Sequence, residues 1–88
     1  MDFEFDPAKS EMNKSKHGID LIEAQQLWAD PDMIEGPGHS TTEPRWLAVG
    51  VINGIHWTVC FTHRRKCIRL IECRRARREE REVYEFGK

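Results

Sequence analysis

"RWLAVGVINGIHWTVCFTH", Arg45 to His63, is the stretch on which the fold turns. Two runs rich in β-branched and aromatic residues, 45–52 and 55–63, flank Asn53-Gly54. That dipeptide is the strongest short hairpin signal, because a type I′ turn needs positive φ at both central residues. Trp46 alternates with Ala48 and Gly50, and Trp57 with Ile55 and Val59. Alternation of this kind places both tryptophans in a core rather than on a base-stacking surface. His56 and His63 fall on the opposite strand face or at its end. "CIRLIEC", Cys67 to Cys73, reads as a third strand. The link "HRRK" before it has no Gly or Pro, so its turn type is open.

Upstream, "DFEF" alternates Phe3 and Phe5 with acids and reads as a short edge strand. Asp6 is a good N-cap, Pro7 suits a first helical position and Gly18 a left-handed stop, which predicts a helix over about 7–16. A second helix restarts at once. Asp20 caps it, Glu23 stands three residues on, and Leu21, Ala24, Leu27 and Trp28 share a face until Asp30-Pro31 ends it. Residues 31–44 hold Pro31, Pro37, Pro44, Gly36 and Gly38 and read as a mobile loop. Downstream, "RRARREEREVYEF", 74–86, reads as a helix with Ala76, Val83 and Tyr84 on one narrow apolar face. The expected order is β-α-α-β-β-β-α. It describes a single α+β domain over 1–88, a two-layer sandwich with helices packed on one face of a mostly antiparallel sheet.

Composition narrows the class. The N-terminus opens "MDFEFD", with acids where a signal peptide is basic. No apolar run approaches the roughly 20 residues of a membrane span. Cys60, Cys67 and Cys73 are an odd count and form no C-x-x-C pair, and His17, His39, His56 and His63 are scattered. Free thiols in a reducing cytoplasm, with no metal site and no cofactor, are the expectation.

The net charge of -1 is an average. Residues 1–44 carry three basic side chains and ten acids, giving -7; residues 45–88 carry eleven and five, giving +6. Nine basic residues and three acids lie between Thr62 and Arg81 alone. Such asymmetry suits a surface that meets a polyanion, or a face salt-bridged to the protein's own acids.

With these elements in order, the chain resembles the BrnT family of type II toxin–antitoxin toxins. The resemblance runs through "FEFDPAK", Asn13, "KHGI", "ADP", "RWLAVG", Thr62-x-Arg64, "IRLI", Arg74, Ala76 and Glu80-Arg81-x-x-Tyr84. It implies a RelE-like fold and a small metal-independent ribonuclease that arrests growth. It also implies a BrnA-type antitoxin that binds operator DNA, so that DNA contact is indirect. One departure stands out. The family usually has Ser-Ala-Arg at the end of the last strand, and this chain has Glu72-Cys73-Arg74. In a strand Glu72 shares a face with Arg74, where an acid weakens anion binding.

RNA cleavage without metal needs a base for the 2′-hydroxyl, cations for the charge that builds at phosphorus, and an acid for the leaving 5′-oxygen. Arginine suits the second task, since its planar fork binds phosphate bidentately. Arg64 and Arg74, at strand ends, are the candidate phosphate clamp; salt bridging is the competing reading, and the better one for Arg69. Lys16 and His17 close the first helix, where the macrodipole alone favours a cation, and are the candidates for proton transfer. Arg45, beside Trp46, is a candidate for gripping a nucleotide, with Arg65, Arg69, Arg75 and Arg78 as further RNA contacts. His63 adjoins Arg64. Asn13 and Tyr84 read as structural. The final helix, 74–86, is charged against its dipole: Arg75, Arg77 and Arg78 come first and Glu79, Glu80, Glu82 and Glu85 later. That order points to an anion site at its N-terminus. A non-catalytic nucleic-acid-binding module, or a protein-interaction domain for an acidic partner, is the alternative function.

Overall fold

The computed structural model describes residues 2–39 and 42–87. Strand β1 (Asp2–Glu4) leads into helix α1 (Pro7–His17), a 3₁₀ helix (Glu23–Ala29), and then β2 (Ile34–Pro37), β3 (Trp46–Ile52), β4 (Ile55–Arg64), β5 (Cys67–Arg75) and helix α2 (Arg78–Phe86). The strands form one mixed sheet in the order β1-β5-β4-β3-β2. β1 runs parallel to β5, and the other three pairs are antiparallel.

The turn and cap chemistry works as the sequence suggests. Asn53 and Gly54 have φ of 51° and 80°, and the β3–β4 hairpin closes around them with Ile52 opposite Ile55. The β4–β5 turn is the two residues Arg65-Lys66, with Arg65 itself at φ 50°. Asp6 accepts the Ala8 N–H at the start of α1, and Gly18 ends it in the left-handed region. Asp20 accepts the N–H groups of Ile22 and Glu23, while the Glu23 carboxylate accepts the Asp20 N–H. The capping box is therefore present, although the segment it opens winds as 3₁₀ rather than α.

Three expectations need correction. Residues 31–44 are not all loop, because Ile34–Pro37 pairs with β3 as a fourth antiparallel partner in the chain; Ser40 and Thr41 lie outside the described residues. Pro37 is tolerated there because an edge strand does not need its N–H. The last helix begins at Arg78, not Arg74, since Arg74 and Arg75 continue β5 opposite Thr58 and Trp57. The helices also do not share one face. The core joins Ile19, Leu21, Ala24 and Leu27 to Ala48, Ile52, Trp57, Val59, Phe61, Ile68, Leu70 and Cys73. Side chains alternate along a strand, so Thr58 points the other way, and it donates its hydroxyl hydrogen bond to Glu80 of α2. α2 thus lies on the second face, and its buried Tyr84 stands outside the core cluster.

Two polar side chains complete the sheet where its edge strands stop short. β1 covers β5 only over Cys67–Arg69. Beyond it, the buried Asn13 amide donates to the Cys73 carbonyl at 2.8 Å and accepts the Cys73 N–H at 3.1 Å. It also donates to the Ile19 carbonyl at 2.7 Å. At the other edge, Asp30 accepts the Val51 N–H at 2.8 Å and the Tyr84 hydroxyl at 2.6 Å, which joins the 3₁₀ helix, β3 and α2. Gly50 permits this approach, since a Cβ there would stand 3.0 Å from Leu27 Cγ and 3.1 Å from Asp30 Oδ2.

Asn13→Ala leaves the Cys73 N–H and two carbonyls without their partner, and is expected to lower stability by about 2–4 kcal/mol. Urea unfolding measures this; a loss below about 0.5 kcal/mol contradicts the role given to the amide.

Candidate functional site

The second face of the sheet is organised by a bulge. Phe61 pairs with Leu70 and Cys60 with Glu72, so Ile71 has no partner. The extra residue reverses the alternation of the rest of β5. Arg69 faces the second side with Thr62; after the bulge, so do Glu72 and Arg74, opposite Cys60 and Thr58. Arg75 is turned to the core side and sits over the Trp57 ring at 5.6 Å.

Arg74 is held in a near-closed network. Its Nη1 and Nη2 donate to the two Glu80 oxygens at 2.8 and 2.9 Å, and Nη1 also reaches the Arg75 carbonyl. Both side chains are about four-fifths buried. The same Glu80 oxygen that meets Nη1 accepts the Thr58 hydroxyl and the Arg77 N–H. Arg74, with help from that N–H and hydroxyl, pushes the Glu80 carboxyl down to about 2, and the carboxylate holds the guanidinium firmly charged. A guanidinium has five N–H groups. Three are engaged in the bonds just given, and the two at Nε and Nη2 have no partner among the described residues and stand ready for an anion.

Next to this pair lies Cys60, whose thiol is raised by burial and drawn back by Arg45 and Arg74. Arg45 lies close enough to Cys60 to pull its thiol down, and its Nε is buried without a hydrogen-bond partner among the described residues. Two guanidiniums therefore flank one half-buried thiol. On the α1 side, Lys16 and His17 line an open groove of about 920 Å³ with Ile71 and Glu72. His17 Nε2 lies 3.6 Å from Glu72 Oε2, too long for a hydrogen bond.

The sequence candidates separate on this frame. Arg45, Arg74, Lys16 and His17 belong to one side of the sheet, around Cys60 and Glu72. Arg64 is six residues along β4 from Thr58, the partner of Arg74, which is about 20 Å at strand spacing. It pairs loosely with Glu43 at 3.6 Å, so Arg64 and Arg74 do not form one clamp. Arg69 pairs with Glu4 at 3.7 Å, in line with the salt-bridge reading. Arg65 is in the exposed β4–β5 turn. Arg78 is on α2 and bonds Glu82 at 3.0 Å.

The reversed charge order of the last helix is also corrected. With Arg74 and Arg75 in β5, the first turn of α2 carries Glu79 and Glu80, the favourable sign for a helix N-terminus. The anion site proposed at that N-terminus loses its premise. Residues whose part in the site sequence reasoning passed over are Cys60, read only as a free thiol, and Glu80, which entered only in the resemblance and in the charge order of the last helix. Glu80 stands three residues after Arg77, and this N-cap to N3 spacing was the signal available. His56 bonds Glu85 at 3.0 Å and is a packing residue beneath Tyr84. His63 sits edge-on to Trp46 and Phe61.

Set beside known proteins, residues 5–80 match a family model described as "Ribonuclease toxin, BrnT, of type II toxin-antitoxin system". No curated protein matches the chain.

The Glu80 carboxyl lies below its ordinary 4.5, at about 2, so its contribution is complete above about 4.5 and is lost as pH falls through about 2. On the order of 2 kcal/mol is expected to vanish across that window. Urea unfolding between those pH values is expected to give a shallower loss for Glu80→Gln than for the wild type. Equal slopes contradict the pairing.

Proposed function

The chain belongs to the BrnT family of ribonuclease toxins of type II toxin–antitoxin systems, and on that premise we propose that the second sheet face is its RNA-cleaving site. The family implies an RNA substrate and an antitoxin partner. The observation that carries the proposal is the pair Arg45 and Arg74 around Cys60. Arg45 stands beside the Cys60 thiol, and Arg74 has two N–H groups, at Nε and Nη2, with no hydrogen-bond partner among the described residues. Charged donors in a partly water-excluded place are worth more to a phosphorane than exposed ones, and they need no reorganisation when its charge builds.

In this reading Arg45 and Arg74 hold the scissile phosphate. Lys16 and His17, along the groove beside α1, lie on the side where the proton transfers occur. Arg64 and Arg65 at the β4–β5 turn, Arg69 on the same face and Arg78 on α2 meet neighbouring phosphates, each worth a share of a salt-dependent affinity, whereas Arg75 is turned to the other side. Catalysis is metal-independent, because the guanidiniums supply the charge that a divalent ion otherwise would. The fold is RelE-like, with the short edge strand β2 added to the expected order. A BrnA-type, DNA-binding antitoxin neutralises the chain by covering this face, and the toxin acts in the cytoplasm. No helix among the described residues is long and apolar enough to cross a membrane.

Purified nuclease-free chain, assayed on free RNA and on translating ribosomes with chelator present, is expected to leave defined RNA ends. Arg45→Ala is expected to lower the rate by about 10²–10³-fold. Arg74→Ala is expected to do the same and, because it strands Glu80, to lower the melting temperature as well. Arg64→Ala is expected to weaken binding more than chemistry. RNA bound but left intact identifies the chain as a binding module; neither binding nor cleavage identifies a protein-interaction domain.

A further inference from the structure

Glu72 breaks the charge pattern of the second face. A carboxylate among arginines repels the phosphate that they attract, yet this one is placed with care. The bulge at Ile71 turns it to the side of Arg74 and Cys60. Behind it, at the C-terminal end of α1, His17 Nε2 is fully buried and has no hydrogen-bond partner among the described residues. The two groups differ in what RNA can reach: the His17 side chain is 21% exposed with Nε2 sealed, and that of Glu72 is 45% exposed. The carboxylate therefore stands in front and the imidazole behind.

We propose that Glu72 is the general base of the cleavage and that His17 is its positioning residue, a role that rests on the ribonuclease reading of this face. The Glu72 carboxylate takes the proton of the ribose 2′-hydroxyl. The 2′-oxygen bonds to the adjacent phosphorus, and the P–O5′ bond breaks with its electron pair passing to the 5′-oxygen. That oxygen takes a proton from water, and Glu72 returns its own to solvent. The products are a 2′,3′-cyclic phosphate and a 5′-hydroxyl end. Arg74 and Arg45 hold the charge on the non-bridging oxygens meanwhile. His17, by turning Nε2 toward Glu72 Oε2, limits the carboxylate to the side of the groove.

The groups that face Glu72 are few. His17 comes from α1, with Lys16 beside it along the groove. Cys60 comes from β4 and Arg74 from β5 itself, while Cys73, next to Glu72 in the chain, is turned to the core. Burial pushes the Cys73 thiol up to about 12 and raises Cys60 too, so neither thiol competes as the base near neutral pH.

The test uses Glu72→Gln, Glu72→Asp and His17→Asn in the full chain. The substrate is mixed-sequence RNA, free and on ribosomes; its 2′-O-methyl form serves as the binding probe. Glu72→Gln is expected to cut at least about 100-fold more slowly while its Kd for the probe stays within about threefold, and to lose the limb of the pH–rate profile that rises with pH. Glu72→Asp, which keeps a carboxylate, is expected to retain that limb at reduced rate. His17→Asn is expected to keep the limb but displace it. Unchanged melting temperatures exclude misfolding as the cause. If Glu72→Gln cleaves at the wild-type rate or faster, the carboxylate only repels phosphate and the proposal is overturned alone. If the wild type leaves all RNA intact, the ribonuclease reading falls first and this one with it.

Discussion

Every backbone N–H and C=O buried in a sheet must find a partner, and both edge strands of this sheet are too short to provide them. β1 spans three residues and β2 four. Past their ends, Asn13 pairs with Cys73 on β5 and Asp30 with Val51 on β3. An amide suits the first position because it donates and accepts at once, as a strand neighbour would. A carboxylate suits the second, where only donors converge. These two side chains also fix where the helices lie. Asn13 brings the end of α1, with Lys16 and His17, against the bulged part of β5. Asp30 ties Tyr84, and so α2, around the edge of β3. Removing either bond would loosen an element that borders the candidate site.

The bulge at Ile71 has the complementary task of aiming side chains. Without it, the alternation that buries Ile68 and Leu70 would carry Glu72 and Arg74 into the core. With it, both emerge on the second face and Cys73 takes the buried position. Arg74 is then partly desolvated, and Glu80 supplies the opposing charge. A phosphate bound at Arg74 shares that guanidinium with Glu80 or displaces it, so α2 is both a cover for the sheet and a neighbour of the site. The charge asymmetry along the chain is met in part by pairs between its halves, Arg64 with Glu43 and Arg69 with Glu4. Arg45 and Lys16 have no ion pair of this kind among the described residues.

Much of the fold was legible because its signals are local. Asn53-Gly54, Asp6-Pro7, Gly18 and the Asp20/Glu23 box each act within a few residues, and alternation marked Trp57, Val59 and Ala48 as core. What escaped was non-local or weakly coded. β2 is four residues long and contains Gly36 and Pro37, so propensity argues against a strand that only pairing with β3 creates. The run from Arg74 to Arg77 contains no helix breaker, and nothing in it shows that β5 continues through Arg75. The bulge leaves no mark in composition, and without it neither the cation–π contact of Arg75 nor the network of Arg74 can be foreseen. The family motif led to Arg74 and Arg64 and the neighbouring Trp46 to Arg45, but the 20 Å or so that parts Arg64 from Arg74 follows only from strand register.

The central claim is that RNA is held on the second sheet face, between Arg45 and Arg74. A crystal structure of the chain bound to a 2′-O-methyl RNA, which cannot be cut, tests it most directly. The account predicts a phosphate within hydrogen-bond distance of both guanidiniums, beside Cys60 and Glu72. A phosphate backbone that instead follows Arg75 and Arg81 on the other side, leaving the Arg74–Glu80 pair and Arg45 untouched, would contradict it.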